Sequence, residues 1–102
     1  MKVIAKIVDL IEDELEGAEQ YAELALKYKT AHPKLAEKLH ELAGVEMTHA
    51  KVLHTEAARL IEEVRQRDGE PPAAMMSIYE YEHQKQIKQA AEIRALIEEY
   101  DS

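Results

Sequence analysis

Apolar side chains recur along this chain every three or four residues in three successive stretches, which is the spacing of amphipathic α-helices. Two short polar segments separate the stretches, residues 29–32 and residues 68–72. Pro33 follows the first segment, and proline is well tolerated in the first turn of a helix. The second segment contains Gly69 and two prolines, which end helices. The pattern predicts an all-α protein of one domain, residues 1–102, with helices over about residues 3–29, 33–67 and 73–100.

The apolar seam of the first predicted helix is interrupted by an acid. Its positions are Ile4, Ile7, Ile11, Glu14, Ala18, Tyr21, Ala25 and Tyr28. Glu14 stands in the middle of this seam, where a buried carboxylate costs several kcal/mol unless another group compensates its charge. We therefore expect Glu14 to have a specific partner.

The second predicted helix has the same kind of interruption. Its seam is Leu35, Leu39, Leu42, Glu46, His49, Leu53, Glu56 and Leu60, with Ala36, Ala43, Ala50, Ala57 and Val64 alongside. Glu46 and His49 are three residues apart, so they project from one face of the helix. We expect both side chains to point inward, where they can reach a single ion together.

Hairpin geometry places the three polar residues at one height. If the first two helices run antiparallel about a turn centred near residue 31, Glu14 lies opposite the gap between Glu46 and His49. A divalent cation removes the cost of bringing two carboxylates together. Carboxylate oxygen and imidazole nitrogen without sulfur suit iron or manganese, and zinc is also possible. The spacing predicts a metal site formed by these three residues.

A Glu on one helix and a Glu-x-x-His on the next, within residues 10–55, resemble the ferritin-like di-iron carboxylate superfamily. Tyr21 follows Glu14 by seven residues and Ala50 follows His49, as in bacterioferritins and rubrerythrins. The resemblance implies a di-iron centre that oxidises Fe(II), which is ferroxidase chemistry, and a role in iron handling. We expect Tyr21 to pack in the core or beside the ligands, with its hydroxyl bonded to a ligand carboxylate across the bundle.

Three predicted helices make the chain similar to half of a ferritin, because a complete ferritin-like bundle takes four ligand-bearing helices from one chain. It resembles the encapsulated ferritins, whose short chains pair so that each contributes one Glu and one Glu-x-x-His to a shared site. The resemblance implies an antiparallel helical hairpin plus a third long helix, with a four-helix-type bundle completed by dimerisation. The expected partners are a second copy or a higher homo-oligomer, with an encapsulating shell or an electron donor as further possibilities.

Two other functions remain open at this point. One is a non-enzymatic three-helix interaction module in which Glu14 and His49 form a buried hydrogen-bonded pair. The other is a structural mononuclear zinc site within one chain.

A second Glu-x-x-His motif and three further histidines lie outside the predicted metal site. Glu80 and His83 form another Glu-x-x-His, but a fold back about residue 70 puts Glu80 about 20 Å along the second helix from Glu46. We expect this reserve ligand set to miss the main site. Solvated positions are expected for His32, His40 and His54.

Composition narrows the function classes further. The 102 residues include 21 acidic and 13 basic side chains, for a net charge of −8, and no cysteine. The chain therefore lacks disulfides and thiolate metal sites. An acidic chain is repelled by phosphate, so nucleic acids and anionic membranes are not expected partners. No apolar run approaches the roughly 20 residues of a membrane span, and a cytoplasmic location is expected.

Overall fold

The computed structural model describes residues 2–102, which form three long α-helices. They are α1 (Lys2–Tyr28), α2 (Pro33–Asp68) and α3 (Ala73–Asp101). These bounds confirm the three predicted helices to within one residue at each end, and no strand occurs in the described part of the chain. Within the same range, no helix is both long and apolar enough to cross a membrane.

Local chemistry explains where the helices begin and end. Pro33 occupies the first turn of α2, where its missing N–H leaves no hydrogen bond unmade. In the turn before it, the backbone N–H of His32 donates to the carbonyl of Tyr28 at 2.8 Å. After α2, Gly69 adopts a φ of 85°, in the left-handed region that glycine reaches without strain. Its N–H donates to the carbonyl of Arg65 at 3.0 Å, and the chain turns into α3.

Alanines form the interface between α1 and α2, which pack side by side in opposite directions. The buried alanines are Ala18, Ala22 and Ala25 on α1 and Ala36, Ala43, Ala50 and Ala57 on α2. Small side chains on both helices allow a close approach of the two backbones. The predicted leucine seam of α2 is therefore wrong in part, since Leu35 and Leu42 are 48% and 41% exposed. The alanine stripe takes the position that the leucines were expected to hold.

The third helix packs mainly on α1. Ile93 is fully buried against Ile11 and Leu15, and the amide nitrogen of the buried Gln86 donates to the carbonyl of Val8 at 3.1 Å. The resulting molecule is a rod of 55 × 19 × 17 Å.

One side of α2 carries exposed apolar residues that α3 does not cover. We call this side the open face, and it consists of Leu35, Leu42, Val45 and Val52. Their spacing of three and seven residues places them on a single face of the helix. Exposed apolar patches are characteristic of interaction surfaces in general.

Candidate metal centre

The structure brings Glu14, Glu46 and His49 together, as the hairpin geometry predicts. Each residue offers one ligand atom, and these atoms all lie within 4.8 Å of one another. Nδ1 of His49 lies 3.4 Å from Oε2 of Glu14 and 3.9 Å from Oε1 of Glu46. Metal–ligand bonds to oxygen and nitrogen are about 2.0–2.2 Å long. Small side-chain rotations therefore let one cation contact all three residues.

Gly17 makes room for the carboxylate of Glu46, a feature that the sequence reasoning missed. A Cβ atom placed at Gly17 would lie 3.4 Å from Oε2 of Glu46. The carboxylate therefore rests against the bare backbone of α1, one turn after Glu14. The signal in the sequence was a glycine inside a helix, which costs about 1 kcal/mol relative to alanine and so calls for a packing reason.

The two carboxyl groups are poorly satisfied within this chain. Among the residues described, the buried Oε2 of Glu14 has no hydrogen-bond partner, and its 3.4 Å contact with Nδ1 of His49 is longer than a normal N–H···O bond. The neighbouring Glu14 carboxyl, which can bond to Glu46 only if one of the two groups carries a proton, raises the pKa of Glu46 most; burial and the negative charge of Glu14 raise it further, and a positive His49 lowers it. A hard or borderline divalent cation fits this donor set of two oxygens and one nitrogen. It would give Oε2 of Glu14 a partner and would offset the repulsion between the two carboxylates.

His49 lies at the rim of the molecule, which corrects the expectation that it points inward. Its side chain is 53% exposed, whereas those of Glu14 and Glu46 are 27% and 25% exposed. It lies on the open face between Val45 and Val52, because the alanine stripe turns this side of α2 away from α1. A cation held here would have three ligands from this chain and an open side towards the open face.

Tyr21 and the reserve motif stay outside the cluster. Tyr21 is half-buried two turns beyond Glu14 and, within residues 2–102, its hydroxyl makes no hydrogen bond to a ligand. Its bond across a bundle stays a prediction. Across the described residues, no other three acidic or histidine side chains converge in this way, so Glu80 and His83 belong to no cluster of three ligands within the chain.

Two of the three histidines expected in solvent are instead packed under α3. His54 is half-buried and stacks on His83, with ring centroids 4.5 Å apart and planes 1° from parallel. Burial lowers the pKa of His54, and a positive charge on His83 lowers it further. His40 stacks on Tyr100 with centroids 4.2 Å apart. Only the third expectation is confirmed, since His32 is exposed.

Comparison with protein-family models, with curated proteins and with solved structures finds no match for this chain. The functional argument therefore rests on the geometry and chemistry of Glu14, Glu46 and His49.

Proposed function

We propose that the protein binds iron at Glu14, Glu46 and His49, and that two chains pair through the open face to form a di-iron carboxylate site that oxidises Fe(II). The observation that carries the proposal is the buried, unpartnered Oε2 of Glu14 beside a second carboxylate and an imidazole. Such a group is costly in a protein without a cation and favourable with one.

The exposure of His49 supports the pairing of two chains. One chain supplies three ligands and leaves the side towards the open face uncovered. A second copy that turns the same face inward, about a two-fold axis, brings a second set of ligands and buries the apolar stripe. The two hairpins would then form a four-helix bundle. Four carboxylates from two chains balance the charge of two divalent cations.

Each residue has a distinct part in this proposal. Glu14 and Glu46 supply the carboxylate oxygens, and Gly17 keeps the space that the Glu46 carboxylate needs. His49 supplies a nitrogen from the open face. Fe(II) is the substrate: two Fe(II) ions together give two electrons to dioxygen, which takes up two protons to become hydrogen peroxide, or to hydrogen peroxide, which takes up two protons to become two waters, and both ions become Fe(III). The apolar open face excludes bulk water from the ligands once the chains pair.

Anaerobic reconstitution with Fe(II) tests the proposal. We expect about one iron per chain and an absorbance increase when air is admitted, and we expect Glu46→Ala and His49→Ala to lose both. The matched control is the double variant Glu80→Ala with His83→Ala, which removes a Glu-x-x-His outside the cluster and should retain both signals. Iron binding equal in the ligand variants and the wild type would contradict the proposal.

A structural zinc site is the second candidate, favoured by the convergence of three ligands within a single chain. It predicts zinc in the purified protein, a chelator-sensitive melting temperature and no absorbance change with air. If a chelator changes neither the melting temperature nor the oligomeric state, a helical interaction module is favoured instead. In that case the 3.4 Å contact between Glu14 and His49 is a structural pair.

A further inference from the structure

A groove of about 600 Å³ runs between α2 and α3 over α1. Its apolar lining includes Ile11, Leu15, Met47, Ile87, Ala90 and Ile97. Its size and apolar character are those of small-molecule pockets, which measure about 300–1,000 Å³. This groove is separate from the cluster of Glu14, Glu46 and His49, none of which lines it.

The groove is long and includes stacked rings in its lining. His54 stacks on His83 with ring centroids 4.5 Å apart, and both rings line the groove. The lining residues on α3 run from His83 to Ile97, a helical rise of about 21 Å. The length and apolar lining of the groove suit an elongated apolar molecule.

The charge of the groove is opposite to that of the whole chain. Lys51 and Arg94 line it, and no carboxylate does. Within residues 2–102 neither has an acidic partner at 4.0 Å or less, whereas the other three arginines, Arg59, Arg65 and Arg67, each have at least one. Two unpaired cations beside an apolar groove, in a chain of net charge −8, form a local site for an anion.

We propose that the groove between α2 and α3 binds an amphipathic anion with one long apolar chain, of the fatty-acid class. The apolar chain lies along the floor formed by Ile11 and Leu15. The carboxylate head accepts hydrogen bonds from Lys51 or Arg94, which are strong because both partners are charged.

Calorimetric titration with dodecanoate, below its micelle concentration, tests this proposal. We expect one dodecanoate per chain and much weaker binding of dodecyltrimethylammonium, which has the same apolar chain with a positive head. Lys51→Gln and Arg94→Gln should together weaken dodecanoate binding by about tenfold or more. Glu46→Ala should bind dodecanoate as the wild type does, because Glu46 does not line the groove.

An acid placed on the groove wall provides a second test that does not disturb the core. Ile87 is 46% exposed and lines the groove, so Ile87→Glu should abolish dodecanoate binding while the helix content is unchanged. The matched control is Tyr81→Glu on the same helix, at a residue that is 64% exposed and outside the groove.

Three results would overturn the proposal. The first is equal binding of the cationic and anionic amphiphiles, which indicates nonspecific apolar adsorption. The second is unchanged binding in the double variant of Lys51 and Arg94. The third is a change of oligomeric state in the Ile87→Glu variant, measured by sedimentation. Such a change would show that the groove is a contact between copies of the chain.

Discussion

Glu46→Gln should stabilise the protein without metal and destabilise it, relative to the wild type, with metal. The substitution keeps the shape of the side chain and removes one of two neighbouring negative charges. The new amide group can also donate a hydrogen bond to the unpartnered Oε2 of Glu14. In the presence of a cation, the same change removes a charged ligand.

The magnitude follows from the separation and exposure of the two carboxylates. At the 4.8 Å limit of the cluster, two unit charges repel by about 3.5 kcal/mol at an effective dielectric constant of 20 and by about 0.9 kcal/mol in water. Both side chains are about a quarter exposed and His49 offsets part of the repulsion, so the lower value applies. We expect a gain of about 1 kcal/mol, or about 4–8 °C in melting temperature.

Binding of metal makes the wild type more stable than the Glu46→Gln variant. A cation at 100 times its dissociation constant stabilises the wild type by about 2.7 kcal/mol, and the variant gains less. Thermal unfolding followed by circular dichroism, at one fixed protein concentration, measures both states. The protein without metal is measured in the presence of a chelator. The protein with metal is measured in the presence of Mn(II), which air oxidises far more slowly than Fe(II) at neutral pH. The matched control is Glu37→Gln at an exposed position of α2. Its free energy of unfolding should stay within about 0.5 kcal/mol of the wild-type value, both with the chelator and with Mn(II). A Glu46→Gln variant that melts below the wild type in the chelator would refute the reasoning.

Three further outcomes are expected. Because the pKa of His54 is lowered in the folded protein, the unfolded chain binds more protons below the ordinary value of 6.5. The free energy of unfolding should therefore fall as pH drops below about 6.5, with a shallower slope in His54→Gln, as measured by urea titrations at several pH values. Ala43→Leu should cost about 1–3 kcal/mol in the same assay, because it forces α1 and α2 apart, whereas Ala58→Leu at an exposed position should be nearly neutral. Val52→Glu on the open face should shift the protein to monomer in sedimentation experiments with unchanged helix content, and a persistent dimer would contradict the proposed pairing.

The helices could be predicted because several independent features of the sequence indicate the same helix bounds. Apolar periodicity, proline at the start of α2 and glycine after its end all give the same bounds. The height of Glu14 opposite Glu46 and His49 could also be predicted, because it depends only on where the turn lies and on the rise per residue.

The rotation of α2 could not be predicted from the size of its apolar residues. Leucine is the more hydrophobic choice for an interface, but α1 presents Ala18, Ala22 and Ala25, and small side chains pack best against small ones. The match between two helix surfaces is a property of the pair. The same rotation carries His49 to the open face, which is why its exposure was unexpected. The stack of His54 on His83 was missed because α3 has only a weak apolar pattern to show which side packs inward.

The close packing of the alanine stripe has a consequence for how long a cation would stay bound. Since α1 and α2 leave little space between them, the ligands of this chain meet at the edge of the hairpin, beside the exposed His49. In a pair of chains joined at the open face, this edge is sealed by the partner and by no lid of the chain itself. The lifetime of the bound cation would then be set by the dissociation rate of the dimer, so dilution of the protein would speed metal release.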